Sequence, residues 1–279
     1  MQISIITVAY DSGHARRRMG RGPKALLSAG LAARLIAQGH HVGIHELELG
    51  AAFPAEPGAA FDLNRQIAVA TAGARARGAF PLVLSGNCIS TVGAIAGAGI
   101  EDLGLLWFDA HGDFNTPEST RTGFLDGMAL SVACGRCWTA LSDGIPGFRP
   151  LDPARVVLAG ARDFDAGERE RFEAAGGRVA TVAAIETDDG LGALQAFGDG
   201  VSRLYVHLDL DVLDPSEGAA NEYAVAGGLR RAGLLRLLER ARSTFAMAGL
   251  TISAYDPAHD PGGTVVAAGI ELAVTCAPR

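Results

Sequence analysis

The chain has 279 residues, with 24 basic and 31 acidic side chains and a formal net charge of −7. Hydrophobic residues make up 48%, charged residues 20%, and mean hydropathy is +0.20, which excludes a disordered polypeptide. The acidic balance, with no basic stripe beyond Arg16-Arg17-Arg18, excludes nucleic acid as the main partner, and no apolar run is long enough to span a bilayer. Four cysteines make no disulfide framework, and the basic cluster follows the N-terminal apolar run where a signal peptide has it in front. A cytoplasmic protein without a membrane partner is expected.

In chain order, residues 2–8 read as a strand and Lys24 to Gln38 as a helix stopped by Gly39. His41 to Glu46 is a second strand, Phe61 to Arg77 a helix, and residues 81–85 an apolar strand. A helix opens near Cys88 and ends by Gly99, and residues 103–108 form the next strand. Arg155 to Ala159, Arg178 to Val182, Leu204 to Leu208 and Leu250 to Ala254 complete the set. Strands apolar on both faces and separated by helices indicate a parallel sheet covered on both sides. With no linker or internal repeat, the expectation is one α/β domain over 1–279, a three-layer α/β/α sandwich with a mainly parallel sheet. Ligands in such sheets sit beyond the carboxyl ends of the strands.

Three strand ends carry unusual polarity: Ser85-Gly86-Asn87-Cys88, Asp109-Ala110-His111-Gly112-Asp113-Phe114-Asn115, and Asp209-Leu210-Asp211-Val212-Leu213-Asp214-Pro215. Alternation along an extended strand end places Asp109, His111 and Asp113 on one side, and Asp209 with Asp211. Carboxylates converging at an apolar sheet edge repel unless a cation compensates them. An oxygen-rich set with a nitrogen donor suits Mn²⁺ or a similar divalent ion, and a metal pair can turn water into hydroxide near neutral pH. Each Asp taken alone is equally a turn or helix-cap residue; the two motifs together, each directly after an apolar strand, favour the metal.

These segments, together with Gly20-Arg21-Gly22-Pro23, Gly160-Ala161-Arg162-Asp163 and Ala226-Gly227-Gly228-Leu229, resemble the ureohydrolases of the arginase/agmatinase family. The resemblance implies a three-layer α/β/α hydrolase that cleaves a guanidino C–N bond by metal-activated hydroxide, with two Mn²⁺ per chain. Asp109 and Asp209 are implied as bridging ligands, Cys88 and Asp113 as completing one metal site, and His111 and Asp211 the other. Asp113 is implied to accept a hydrogen bond from the attacking group. Trimers or hexamers are common in the family, so a homo-oligomer is expected.

The sequence departs from the family at three places. Cys88 stands where the first ligand is ordinarily His, as in an Nω-hydroxy-L-arginine hydrolase whose segment from His111 to Gly135 is similar; a thiolate is softer and adds negative charge. Asp126 stands at the position of the proton-shuttling His, and can replace it only with a raised pKa. Ala254 stands where a Glu grips the guanidinium. Asn115, Thr120, Thr122, Asp165 and Glu168 match positions that hold the ends of an α-amino acid, although Asp165 and Glu168 also read as a capping box. The expected substrate is arginine or Nω-hydroxy-L-arginine; the alternatives are an agmatinase-like or other guanidino-acid hydrolase and a non-catalytic relative that binds metal or a guanidino ligand. Cys134 and Cys137 form a C-x-x-C pair without a second pair, so a structural zinc protein is disfavoured. Replacing Asp209 is expected to abolish metal binding, whereas the same change at Asp188 is expected to be silent.

Overall fold

The computed structural model describes residues 1–278 apart from 100, 188, 189, 196 and 199. Its strands are β1 (Gln2–Val8), β2 (Tyr10–Asp11), β3 (His14–Ala15), β4 (His41–Leu47), β5 (Phe80–Ser85), β6 (Leu103–Phe108), β7 (Val156–Ala159), β8 (Arg178–Ala180), β9 (Arg203–Asp209) and β10 (Ala246–Ser253). β2 and β3 make a small antiparallel pair. The other eight form one sheet in the order β4-β1-β5-β10-β9-β6-β7-β8, and every pairing in it is parallel.

Alternation divides the central strands between two cores. Leu106, Phe108, Val206 and Leu208 face one side, against helices Gly22–Ser28, Leu31–Ala37, Arg231–Thr244 and Thr264–Cys276. Leu105, Trp107 and Tyr205 face the other, against helices Glu56–Ala76 and Ser90–Ala98. Burial on both faces explains why these strands are continuously apolar. The three-layer α/β/α expectation holds, and the sheet is wholly parallel.

Two helices differ from their sequence reading. The stretch from Lys24 to Gln38 is two helices, Gly22–Ser28 and Leu31–Ala37, because Gly30 takes a φ of 99° that continues neither. The helix expected from Phe61 begins at Glu56, where Pro57 fits the first turn and the Glu56 carboxylate complements the positive helix end.

The four central strands, β5, β10, β9 and β6, are neighbours. Trp107 pairs with His207 and Phe108 with Leu208, while Ser253 pairs with Asp209. This register brings Asp109, Asp209 and Ala254 to one edge, with Cys88 just after β5. Helix Ser90–Ala98 holds the Cys88 turn in place by packing directly on helix Glu56–Ala76. The Gly93 N–H donates to Asn64 Oδ1 at 2.6 Å, and a Cβ at Gly93 would lie 2.3 Å from the Asn64 carbonyl oxygen. Gly93→Ala is therefore expected to destabilise the protein by about 1–3 kcal/mol through forced separation of the two helices, read as a lower urea midpoint; an unchanged midpoint would contradict this close contact.

Candidate metal centre and substrate cleft

Asp109 follows β6 directly and is buried. One carboxylate oxygen accepts from the His111 backbone N–H at 2.7 Å and the other from Trp107 Nε1 at 3.1 Å. His111 Nδ1 lies 3.3 Å from Asp109 Oδ1 and 3.5 Å from Asp211 Oδ2. Asp209 ends β9 and accepts from the Asp211 N–H at 2.8 Å, and the Ala110 N–H donates to Asp211 Oδ1 at 3.2 Å. The Ala110 N–H thus ties the two acidic motifs together, while the His111 and Asp211 N–H groups brace each motif internally. Arg162 clamps the second of them, donating to the carbonyls of Asp211 and Val225 at 3.0 and 2.7 Å.

The convergence arises differently from strand alternation. β6 stops at Phe108, His111 makes an isolated bridge to Asp163, and Asp113 sits at a φ of 52° in the left-handed region. Asp211 lies in a 3-10 turn over Leu210–Val212. Loop geometry, held by the hydrogen bonds above, aims these side chains inward.

Cys88 is buried between two strand ends, its thiol donating toward Asp209 Oδ2 at 3.1 Å with Ser253 Oγ at 3.3 Å. Burial, then the charges of Asp209 and its acidic neighbours, pushes the thiol well above its ordinary range. Burial also raises Asp113 and Asp209 well above the usual carboxylate range, reinforced by Asp109 at Asp113 and by Asp211 at Asp209. At Asp109 burial acts upward, but hydrogen bonds and charge from His111 outweigh it and lower the pKa. His111 is raised to about 9, because Asp109 and Asp211 overcome its desolvation.

Asp126 opens a 3-10 turn and accepts from the Ile89 N–H at 3.0 Å and from the Asn87 side-chain amide. Burial raises its carboxyl to about 7, against the opposing pull of those bonds. Asn115 donates to Asp165 Oδ2 at 3.0 Å. Glu168 accepts from the N–H groups of Phe114 and Asp165 at 2.8 and 2.9 Å, so it ties two loops together while facing the cleft.

These groups line one cleft of about 180 Å³, the size for a small molecule. Its carboxyl groups come from Asp109, Asp113, Asp126, Asp163, Asp165, Glu168, Asp209 and Asp211, and no Lys or Arg lies among its described lining. Cys88, His111, Asn115, Phe124, Asn221, Tyr223 and Ala254 also contribute. Thr120 and Thr122 do not: their hydroxyls accept from the N–H groups of Gly123 and Phe124 within their own loop. Asp256, two residues after Ala254, is held by Arg21 at 2.7 Å, and Asp260 accepts from Tyr255 Oη at 3.0 Å, so neither supplies the carboxylate missing at Ala254. Cys134 and Cys137 are buried thiols outside this cleft. Asp188 lies outside the described residues.

The donors fit divalent cations. Asp113 Oδ2 is buried and has no hydrogen-bond partner among the described residues. Ligand atoms of Asp109, His111 and Asp211 lie within 4.8 Å of one another, as do those of Cys88, Asp109 and His207. Sequence reading had given His207 no role. Its signal was its place two residues before Asp209, which puts both on the same strand face.

The whole chain has close relatives. Residues 1–277 match the model of the arginase family. An arginase of Bacillus caldovelox is 34% identical over 249 residues, covering 81% of each chain. An N(omega)-hydroxy-L-arginine amidinohydrolase of Streptomyces lavendulae is 40% identical over 140 residues, 50% of this chain and 46% of that one. The solved Bacillus caldovelox arginase superposes with a TM-score of 0.91 at 28% identity, covering 99% of this chain and 97% of that one. No helix among the described residues is long and apolar enough to cross a membrane.

The buried charges set a pH dependence. The folded-state pKa of His111 is raised from 6.5 to about 9, so its stabilisation of the metal-free fold is complete below 6.5 and lost as pH rises through about 9. Asp113 and Asp209, also raised, act in the same direction: their ionisation opposes folding as pH rises above the unfolded carboxylate value of about 3.9. Calorimetry of metal-free protein should show Tm falling between pH 6.5 and 9, with Mn²⁺ raising Tm more at pH 9 than at pH 6. His111→Gln should flatten that fall, and a metal-free Tm that rises over the interval would contradict the site's charge balance.

Proposed function

Because the chain belongs to the arginase family and is a hydrolase of linear amidines, we propose that it is a binuclear Mn²⁺ amidinohydrolase acting on an arginine-like amino acid, with Nω-hydroxy-L-arginine preferred over arginine. The carrying observation is a small cleft lined by eight carboxyl groups and, among its described residues, no Lys or Arg. Such a lining suits cations: a metal pair at its floor and a ligand bearing an ammonium and a guanidino group.

Asp109 and Asp209 are the proposed shared ligands, with His111 and Asp211 on one side and Cys88 and Asp113 on the other. When bound, the metal pair supplies a nucleophile from water near neutral pH. Asp113, with its free Oδ2, receives the hydrogen bond of the attacking group. Asp165 and Asn115, on the cleft wall, suit the α-amino and carboxylate ends of the substrate. Hydrolysis breaks the C–N bond to the amino-acid side chain, releasing urea or hydroxyurea and an ornithine-like amine. The leaving nitrogen needs a proton, and Asp126, held near 7, is poised to carry one.

Ala254 bears on the choice of substrate. Loss of a carboxylate there removes a charge-assisted grip on a fully charged guanidinium. An N-hydroxyguanidine is less basic, since its oxygen withdraws electron density, and so depends less on that grip. Mn²⁺-loaded protein offered arginine, Nω-hydroxy-L-arginine, agmatine and guanidinobutyrate should turn over the hydroxylated amino acid with the highest kcat/KM. Turnover of none of the four would overturn the proposal, and agmatine as the best substrate would overturn its amino-acid specificity. Asp126→Asn should lower kcat by about 10²–10⁴-fold with Mn²⁺ content unchanged, whereas Asp209→Asn should lose both metal and activity.

A further inference from the structure

His207 lies on β9, buried, its ring stacked on Trp107 with centroids 3.6 Å apart and planes inclined by 23°. Its Nδ1 is 2.7 Å from the Thr91 hydroxyl. Its Nε2 is wholly buried and has no partner among the described residues. A ligand atom of this ring lies within 4.8 Å of those of Cys88 and Asp109. Asp209 Oδ2 is 3.1 Å from the Cys88 sulfur, so a fourth donor borders the same space.

Building on the metal reading above, we infer that His207 is a nitrogen ligand of the Cys88 half of the centre, and that this half, though able to hold Mn²⁺, binds a softer divalent ion of the zinc class more tightly than the His111 half does. If Thr91 accepts the Nδ1 proton, the Nε2 lone pair is free to bind, and the hydroxyl fixes the ring as second-sphere acceptors do in metal sites. Stacking on Trp107 holds the plane, and the same indole donates to Asp109, so one side chain orients two of the donors. Sulfur, imidazole nitrogen and the Asp109 carboxylate form a three-donor group, with Asp209 beside the sulfur, that zinc accepts readily and Mn²⁺ less so. The nitrogen donor absent from position 88 is thereby supplied by β9, two strands along in the sheet. The His111 side, with Asp109 and Asp211, remains dominated by oxygen.

Zinc X-ray absorption on the wild-type protein carrying one equivalent of zinc tests this without any variant. The expected shell contains one full sulfur and one full imidazole per zinc, a pairing that among the described residues only Cys88 and His207 provide within one group of neighbouring donors; about half of each would mark zinc shared with the His111 half and would overturn the inference. Sulfur without imidazole, or imidazole without sulfur, would overturn the inference. In parallel, Co²⁺ titration should give a near-ultraviolet thiolate charge-transfer band in the wild type, lost in Cys88→Ser. In His207→Gln, Co²⁺ affinity at that half should fall by at least about tenfold; an unchanged affinity with an intact band would overturn the role of His207. If His207→Gln fails to fold, the absorption measurement decides alone. Retention of Mn²⁺ together with a zinc shell lacking the sulfur–imidazole pair refutes only this inference, whereas retention of neither metal refutes the metal reading beneath it as well.

Discussion

Mutual repulsion among buried carboxylates at the carboxyl edge of the sheet is the constraint around which the site is built. Asp109, Asp113, Asp209 and Asp211 are all buried there. Each ionised carboxylate removed from water carries a desolvation cost that only opposite charge or hydrogen bonds offset. Backbone N–H groups of Ala110, His111 and Asp211 offset part of it, and His111 supplies the nearest positive charge. The remainder is stored as carboxyls displaced toward their neutral forms. A strongly acidic cleft floor is the direct consequence.

The scaffold makes this arrangement possible by rigidity around it. The strands feeding the site are the four central ones, covered on both faces, so their ends are fixed by packing on two cores. Trp107 and His207 stack on one another two residues before Asp109 and Asp209, the first just after β6 and the second at the end of β9. Arg162 ties the Asp211 turn to the Val225 loop through main-chain carbonyls, and Glu168 ties the Phe114 loop to the start of helix Glu168–Ala174. Gly112 admits the Glu168 carboxyl so closely that a Cβ there would lie 2.5 Å from it. These contacts hold side chains that would otherwise repel one another apart.

Departures from the arginase pattern cluster on one side of the cleft. Cys88 and Ala254 follow neighbouring strands, and His207 lies on the strand next to them.

Apolar runs of five to eight residues, separated by helical stretches, were enough to read a covered parallel sheet, because burial on both faces leaves no polar alternation. That the acidic motifs after β6 and at the end of β9 meet at one sheet edge was legible, since each follows or ends an apolar strand of a parallel sheet. Composition and spacing could not show that Gly30 divides one helix into two or that Asp113 turns inward through a left-handed residue. Nor could they show that Thr120 and Thr122 bond to their own loop. His207 was missed because its partners, Cys88 and Thr91, are more than a hundred residues away in sequence and meet it only through strand order and register. Residue type and local period thus determined the layers and the charge of the site; which side chains lie within reach of one another was decided by tertiary packing, because those distances depend on strand order and register that local sequence does not encode.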